Sequence, residues 1–218
     1  MRFNTLISNK HMKITLKALI YSFIFVCIGS AAKAQILIPD SLRIGVGLEA
    51  TSTLGTDFGT NVNTTPGGTA KSAYDYGVGA SLRVDVPVIS KLYVTATAGY
   101  ISFLPSSNRT SSQQALSNVS LPNFNTIPLK LGVKLLIGNR FYVHGEAGET
   151  LLANKKELYA IYSNSFTWAP EIGMVFPLKK RHTYVDAGIR VETTSSFYND
   201  DNHNSFWAFH FAYAFNLK

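Results

Sequence analysis

Apolar and polar side chains alternate with a period of two along most of this chain. In residues 42–51, LRIGVGLEAT, every second position is apolar, and the positions between them begin with Arg43 and include Glu49. In residues 74–86, Tyr74 and Tyr76 begin the apolar set and Asp75 begins the polar one. A helix, with its period of 3.6, would not separate such sets, so the pattern predicts β-strands. Eight strands are predicted, at residues 42–51, 74–86, 92–102, 125–136, 141–150, 166–176, 183–193 and 205–216.

The connections between these strands alternate between short and long. Short segments follow the second, fourth and sixth strands, and long segments rich in Ser, Thr, Asn and Gly follow the first, third, fifth and seventh. Short turns on one side and long loops on the other are typical of outer-membrane barrels. Strands of about ten residues also suit a tilted crossing of the hydrocarbon layer. The predicted fold is all-β, an eight-stranded antiparallel up-and-down transmembrane β-barrel with its apolar faces outward.

Aromatic side chains are concentrated near the predicted strand ends, where the membrane meets water. Such girdles flank the apolar band of transmembrane barrels, although aromatic residues are also common in sandwich cores. The predicted loop-side girdle contains Tyr74, Tyr76, Tyr100, Phe124, Phe166, Trp168 and Trp207, and the turn-side girdle contains Tyr93, Phe141, Phe176, Tyr213 and Phe215.

Two prolines, Pro128 and Pro170, fall inside predicted strands. Proline removes a donor from the strand ladder and is usually confined to edges or bulges. Because a closed barrel has no edge strand, the sequence predicts a local bulge at each proline.

The N-terminus resembles a secretory signal. A basic segment is followed by an apolar run at residues 18–28, and Ala32-Lys33-Ala34 supplies the small-residue cleavage pattern. The apolar run is shorter than a transmembrane helix requires, which disfavours an uncleaved anchor. We therefore predict a cleaved signal peptide at residues 1–34 and a barrel domain at residues 35–218. Met12 also precedes a complete signal of normal form, so translation beginning there is a second interpretation.

Removal of this signal changes the charge and the available chemistry. Five of the twenty basic residues and none of the thirteen acidic residues lie within residues 1–34, so the formal net charge falls from +7 to +2. The basic isoelectric point is then no argument for nucleic-acid binding. Cys27 lies in the signal, so the mature chain has no cysteine for disulfides, thiolate catalysis or metal binding.

A family resemblance rests on residues 124–134, FNTIPLKLGVK, followed after a short turn by residues 140–148, RFYVHGEAG. This pair of strands resembles the outer membrane protein β-barrel domain family, which includes PorT-like proteins. The resemblance implies the barrel fold and an outer-membrane location. It implies no catalytic residues, because these motifs encode barrel geometry.

The inward faces of the predicted strands carry many ionisable side chains. An eight-stranded barrel has room inside for side chains and little else, and a lone charge there is costly, so we expect a hydrogen-bonded ion network that plugs the lumen. A gated small pore or proton path is the alternative. The predicted interior network contains Arg43, Glu49, Asp75, Arg83, Asp85, Lys130, Lys134, His144, Glu146, Glu171, Asp186, Arg190, Glu192 and His210.

No catalytic, cofactor or metal site is predicted. His144 and His210 lack an evident third metal ligand in the sequence. The loop before the last strand offers Asp200, Asp201, His203 and Ser205, but no motif fixes their geometry for nucleophilic catalysis, and their spacing matches no standard calcium loop.

The predicted function is that of a non-enzymatic integral protein of a Gram-negative outer membrane, with surface loops available for binding or adhesion. Expected partners are outer-membrane lipid, lipopolysaccharide and the barrel-assembly machinery during insertion, and no nucleic acid. The alternatives are a lipid-modifying outer-membrane enzyme and a soluble periplasmic lipocalin-like barrel. The second requires an apolar interior, which is the reverse of the predicted arrangement.

Overall fold

Eight antiparallel strands pair in sequence order and close on themselves in the computed structural model. The structure describes residues 42–55, 58, 72–106, 122–178, 183–198 and 203–217. The chain divides into two compact units, Met1–Leu37 and Ile38–Lys218, and all described residues belong to the second. The predicted signal peptide lies outside the described residues. The strands are β1 Arg43–Leu54, β2 Tyr74–Ile89, β3 Leu92–Pro105, β4 Phe124–Ile137, β5 Phe141–Leu152, β6 Asn164–Pro177, β7 Thr183–Ser195 and β8 His203–Asn216.

The barrel closes because β1 pairs with both its sequence neighbour and the last strand. Val46 is opposite Leu82 of β2 on one side and Tyr213 of β8 on the other. The short helix α1, Lys155–Leu158, interrupts the connection between β5 and β6. Among the described residues, no helix is long and apolar enough to span a bilayer. The predicted eight-stranded up-and-down barrel is therefore confirmed. Each observed strand extends one to three residues beyond its predicted range at one end or at both.

The outer surface of the barrel is apolar and the inner face is polar. Leu48 is 71% exposed and Leu131 is 68% exposed, while their inward neighbours Glu49 and Lys130 are 5% and 3% exposed. A water-soluble protein would bury the leucines and expose the charges, because apolar surface is driven out of water and isolated buried charge is costly. The inverted arrangement is that of a transmembrane barrel surrounded by hydrocarbon. It is also opposite to the arrangement of a soluble lipocalin-like barrel.

The predicted bulges at Pro128 and Pro170 are wrong. Pro128 remains paired in register with Thr150 of β5, and Pro170 remains paired with Gly145. Each proline instead coincides with a gap in the ladder on its other side, between β3 and β4 and between β6 and β7, and the register is the same on both sides of each gap. Proline lacks only one donor, so the pairing with one neighbouring strand is interrupted and the strand itself does not shift.

Register shifts occur elsewhere, in the pairing of β2 with β3. One lies between Tyr74 and Tyr76 and the other between Pro87 and Ile89. The first shift turns Tyr74 inward, where it is 1% exposed, while Tyr76 remains 66% exposed. The predicted outward position of Tyr74 is therefore wrong, because an irregularity of one residue reverses the face on which a strand side chain lies.

The predicted aromatic girdles are only partly correct. Besides Tyr74, Tyr93 and Phe124 face inward and are 0% and 1% exposed. Both lie at strand ends and occupy the alternate positions that face the lumen. Their location near the membrane interface therefore did not show which face of the strand they are on. The outward members, exposed or half-exposed, are Tyr76, Tyr100, Phe166, Trp168 and Trp207 near the loops and Phe141, Phe176, Tyr213 and Phe215 near the turns.

Candidate functional site

The lumen is occupied by acidic, basic and histidine side chains, which come from every strand of the barrel except β3. Thirteen of the fourteen residues predicted for the interior network are buried. They alternate along each strand with lipid-facing apolar residues. Because successive side chains of a strand lie on opposite faces, the same alternation places apolar residues outside and charged residues inside.

Asp75 is the member of the predicted set that lies apart from the network. It is only half-buried, and its carboxylate accepts a hydrogen bond of 2.6 Å from the Ser106 hydroxyl at the loop-side end of the barrel. Asp75 lies within the register shift between Tyr74 and Tyr76. Its predicted place in the ion network is therefore wrong, because that shift moves it out of the inward row.

The part of the network nearest the loops is built around Arg190. Its guanidinium donates to both oxygens of Glu49, at 3.2 and 2.5 Å, and its Nε donates to Glu192 at 2.9 Å. Lys130 lies 2.7 Å from the same Glu192 oxygen and 3.0 Å from Glu146. These strongly buried pairs have the bidentate geometry and shared partners that offset the cost of removing charges from water.

Glu171 is the centre of the middle part of the network. Arg83 donates to both of its oxygens, at 3.3 and 2.9 Å. His144 Nδ1 lies 3.2 Å from Oε2, and His210 Nδ1 lies 3.3 Å from Oε1. One carboxylate thus contacts groups from β2, β5 and β8, so the network connects opposite walls of the barrel.

The part of the network nearest the turns is held by Lys134. Its ammonium lies 2.5 Å from Asp186 and 3.4 Å from Asp85, and 4.1 Å from the centre of the Tyr142 ring. Arg43 lies closer still to the turns, where its guanidinium stacks over the Tyr93 ring at 4.6 Å. Cation–π contacts of this kind stabilise a desolvated guanidinium in addition to its polar partners.

Several neutral members of the network were missed in the sequence. Tyr142 donates its hydroxyl towards Glu171 at 2.6 Å and towards Asp186 at 2.7 Å, and Thr97 donates to Glu146. The signal was present, because Tyr142 shares the parity of His144 and Glu146 on β5.

A cluster of apolar side chains covers the loop-side end of the network. Phe58, from the connection between β1 and β2, inserts between strand residues, with ring centres 4.7 Å from Phe103, 5.7 Å from Phe124 and 6.1 Å from Phe206. We call this group the aromatic cap. Its buried members are Phe58, Tyr74, Ile101, Phe103, Phe124, Leu152, Leu158, Ala160, Phe197, Tyr198, Phe206 and Ala208.

The cap also includes loop residues beyond the strands. Tyr198, after the end of β7, donates its hydroxyl to the Leu158 carbonyl of α1 at 3.3 Å. Burial raises the pKa of the Tyr198 phenol above its ordinary value. This hydrogen bond connects the described part of the segment after β7 to the segment between β5 and β6, at the loop-side end of the barrel.

The residues before and at the start of β8 that were considered for catalysis are not arranged as a catalytic site among the described residues. The Ser205 hydroxyl pairs with the Thr193 hydroxyl at 3.0 Å, and His203 is exposed. Asp200 and Asp201 lie outside the described residues. A nucleophile needs a base within hydrogen-bond reach, and the partner found for Ser205 is a neutral hydroxyl.

The sequence offered no third metal ligand for the interior histidines, and this expectation is wrong. The structure places His144 with Glu146 and Glu171, and His210 with Glu171 and Asp186, each set with ligand atoms within 4.8 Å of one another. The carboxylates come from other strands, so their proximity to either histidine was not visible in the linear spacing.

Comparisons with known proteins give likenesses among solved structures only. The chain is similar to the outer membrane protein OprG from Pseudomonas aeruginosa, with 13% identity, a TM-score of 0.48, and coverage of 82% of this chain and 96% of that one. It is also similar to the outer membrane protein AlkL, with 13% identity, a TM-score of 0.44, and coverage of 82% and 91%. Ail, the attachment invasion locus protein of Yersinia pestis, has 12% identity, a TM-score of 0.43, and coverage of 81% and 99%.

No family model and no curated protein matches the chain. The fold assignment therefore rests on the closed strand pairing, and the membrane assignment rests on the inverted surface. The narrower resemblance to PorT-like proteins stays a prediction.

Proposed function

We propose that the protein is a non-enzymatic integral component of a Gram-negative outer membrane, a barrel that does not conduct and that acts through its loop side. The observation that carries this proposal is the filled lumen. Buried charged side chains occupy it from Arg43 at the turn side to Glu49 at the loop side, and the aromatic cap lies beyond them.

The contacts that fill the lumen support a closed barrel. A porin lumen is lined by charges that face water, whereas the carboxylates of Glu146 and Glu171 have side-chain exposures of 0%. The Lys130 side chain is also 0% exposed, and it lies between two carboxylates. A hydrated ion that entered would have to break these pairs, at a cost of several kcal/mol for each uncompensated charge.

The outer-membrane location is supported by the combination of an export signal and a lipid-facing barrel. The predicted signal at residues 1–34 directs the chain out of the cytoplasm, and the exposed leucines, valines and aromatic residues of the strands need a hydrocarbon environment. Lipid and lipopolysaccharide are then its immediate partners, and insertion requires the barrel-assembly machinery.

The loop side is the proposed binding surface. The four long connections lie between strand ends on that side, and described residues of two of them meet over the aromatic cap, where Tyr198 donates to the Leu158 carbonyl. Loops carried by a rigid barrel are a usual place for recognition of proteins or sugars. The ligand class is left open, because the loop composition is simply polar.

Electrical recording in planar lipid bilayers tests the proposal. Purified, refolded protein is added at 1 M KCl beside a general porin as positive control. We expect no conductance steps from this barrel while the porin gives them. Regular conductance steps that require folded protein would contradict the closed-lumen function, and the gated-pore alternative would replace it.

Mass spectrometry of lipid A separates the non-enzymatic proposal from the lipid-modifying alternative. Cells expressing the wild type and the double variant His203→Ala, Ser205→Ala should contain identical lipid A. A modification present with the wild type and absent with the variant would show that the barrel is an enzyme.

A further inference from the structure

Four close contacts connect Tyr142, Glu171, Asp186 and His210. The donor groups among these residues carry too few hydrogens to make a hydrogen bond at every contact. The Tyr142 hydroxyl lies 2.6 Å from Glu171 Oε1 and 2.7 Å from Asp186 Oδ1. The two ring nitrogens of His210 lie 3.3 Å from Glu171 Oε1 and 3.2 Å from Asp186 Oδ1. A phenol and a neutral imidazole supply one hydrogen each, so two of these four contacts bring two electronegative atoms together without a hydrogen between them.

The two oxygens of Glu171 differ in their partners, and so do the two oxygens of Asp186. Arg83 lies 2.9 Å from Glu171 Oε2 and makes a longer contact of 3.3 Å to Oε1, and Lys134 lies 2.5 Å from Asp186 Oδ2. Glu171 Oε1 and Asp186 Oδ1, the other oxygens, point at His210 and Tyr142. The shorter cation contact of each carboxylate is therefore made by one oxygen, and the other oxygen is directed into a common centre with an imidazole.

His144, in contrast, needs no additional partner. Its Nδ1 can donate to Glu171 Oε2 at 3.2 Å, while its Nε2 accepts from the Thr95 hydroxyl at 2.9 Å. A neutral imidazole satisfies both contacts with one hydrogen. This difference selects the set with His210 over the overlapping set of His144, Glu146 and Glu171.

A small cavity adjoins His210 and Asp186 and provides independent support for a ligand. It has a volume of about 20 Å³ and is also lined by Asp85 and Arg83. A cavity of that size accommodates about one water molecule. Asp85, which is 6% exposed, has an oxygen, Oδ1, without a hydrogen-bond partner among the described residues. A buried carboxylate oxygen beside a cavity of this size calls for a donor in that cavity.

Among the described residues, the buried carboxylates inside the barrel also outnumber the buried basic side chains. Five buried basic side chains face six buried carboxylates when both imidazoles are neutral. A divalent ion that carries an ionised water as its remaining ligand adds one net positive charge, which balances this count.

We propose that Glu171 Oε1, Asp186 Oδ1 and His210 bind one divalent transition-metal ion of the zinc class. The ionised water, in the adjoining cavity, would complete the coordination and donate its remaining hydrogen to Asp85 Oδ1. One imidazole with carboxylate oxygens is a zinc-type ligand set, and tetrahedral bonds of about 2.1 Å place ligands roughly 3.4 Å apart. The present separations of His210 from the two carboxylates, 3.3 and 3.2 Å, are close to that spacing.

Such an ion would join four strands across the lumen. Glu171 belongs to β6, Asp186 to β7 and His210 to β8, and the bound water would reach Asp85 on β2. The ion would strengthen the closed state, because opening the barrel would require breaking bonds to ligands on separate strands. The proposal does not depend on what the loops bind.

Metal content of the folded barrel is the decisive measurement. Wild-type protein, refolded into detergent with one equivalent of Zn²⁺ and then passed through a desalting column, is analysed for zinc. The matched variants are His210→Gln and His144→Gln, which change the two interior histidines in the same way, and each is checked for folding by its heat-dependent gel mobility. We expect about one zinc per folded wild-type chain and per His144→Gln chain, and a loss of at least tenfold in His210→Gln.

Zinc below about a tenth of an equivalent in folded wild type would overturn the proposal, as would equal zinc in the two variants. If His210→Gln does not fold, ¹⁵N spectroscopy of wild-type protein prepared with Zn²⁺ decides. A metal-bound ring nitrogen at His210 supports the site. A His210 imidazolium with hydrogens on both nitrogens overturns it, because protonation would then supply the missing hydrogen instead.

Discussion

Removal of the Arg190 guanidinium tests whether the lumen charges are held by mutual pairing. Arg190 is 1% exposed and makes three hydrogen bonds to Glu49 and Glu192. In Arg190→Met, Glu192 keeps Lys130 at 2.7 Å, but Glu49 loses both of its bonds from the guanidinium. Leaving one buried charge without its partner costs about 3–5 kcal/mol. The equilibrium constant for folding should therefore fall by a factor on the order of 10²–10⁴.

Urea-induced unfolding in lipid vesicles measures this loss. Trp168 and Trp207 face the lipid, at 48% and 42% exposure, and their fluorescence should report the transfer from hydrocarbon to water. Arg140→Met, at the exposed turn between β4 and β5, is the matched control and should change stability by less than about 0.5 kcal/mol.

A compensating variant separates lost pairing from lost packing. In Arg190→Met with Glu49→Gln, the carboxylate that has lost its partner is replaced by a neutral amide, so at least half of the lost stability should return. The reasoning would be refuted if Arg190→Met cost less than about 1 kcal/mol, since that would mean that Glu49 is solvated. Equal stability of the single and double variants would refute it as well.

Three further predictions concern the packing of the lumen and the cap. At Gly188 an added Cβ would lie 2.7 Å from the Tyr142 hydroxyl, whereas at Gly145 it would meet nothing within 4 Å, so Gly188→Ala should lower the free energy of unfolding in urea by about 1–3 kcal/mol and Gly145→Ala should not. Phe58→Ala should reduce the near-ultraviolet circular dichroism of the aromatic cap and leave the heat-dependent gel mobility of the barrel intact, and loss of both would show that the cap is needed for closure. Because burial raises the pKa of Tyr198, its contribution to stability is present below the ordinary tyrosine pKa and is lost as pH rises through the raised value, so thermal unfolding measured from pH 8 upwards should decline less steeply in Tyr198→Phe.

The strands and their faces were largely predictable because one physical contrast repeats along the whole chain. Hydrocarbon outside and charge inside require alternation at nearly every position, so residues such as Leu131 and Lys130 identify the two faces of β4 without reference to other strands. The prediction failed where the alternation itself is interrupted. The register shift at Tyr74 is one such place, and local sequence gives no sign of it.

The partners within the network could not be predicted in the same way. Glu49 and Arg190 are separated by 141 positions, and Lys130 and Glu192 by 62. The stagger of all eight strands determines which inward charges meet across the lumen. The alternation within each single strand does not contain this stagger. The same reason explains why the carboxylates beside His210 were not recognised as possible ligands.

The central claim is that an apolar outer surface surrounds a polar, filled lumen, and depth-dependent quenching of single labels tests it most directly. The sequence contains one cysteine, Cys27, within the predicted signal, so mature protein carrying a single new cysteine can be labelled with a fluorophore. Labels at Phe209→Cys and Phe211→Cys should react in the folded barrel and be strongly quenched by brominated lipids, while Ala208→Cys and Ala212→Cys, which face the filled lumen, should react with the fluorophore only after unfolding. Equal labelling and quenching at all four positions, or labelling of the folded barrel only at Ala208→Cys and Ala212→Cys, would contradict the inverted transmembrane barrel.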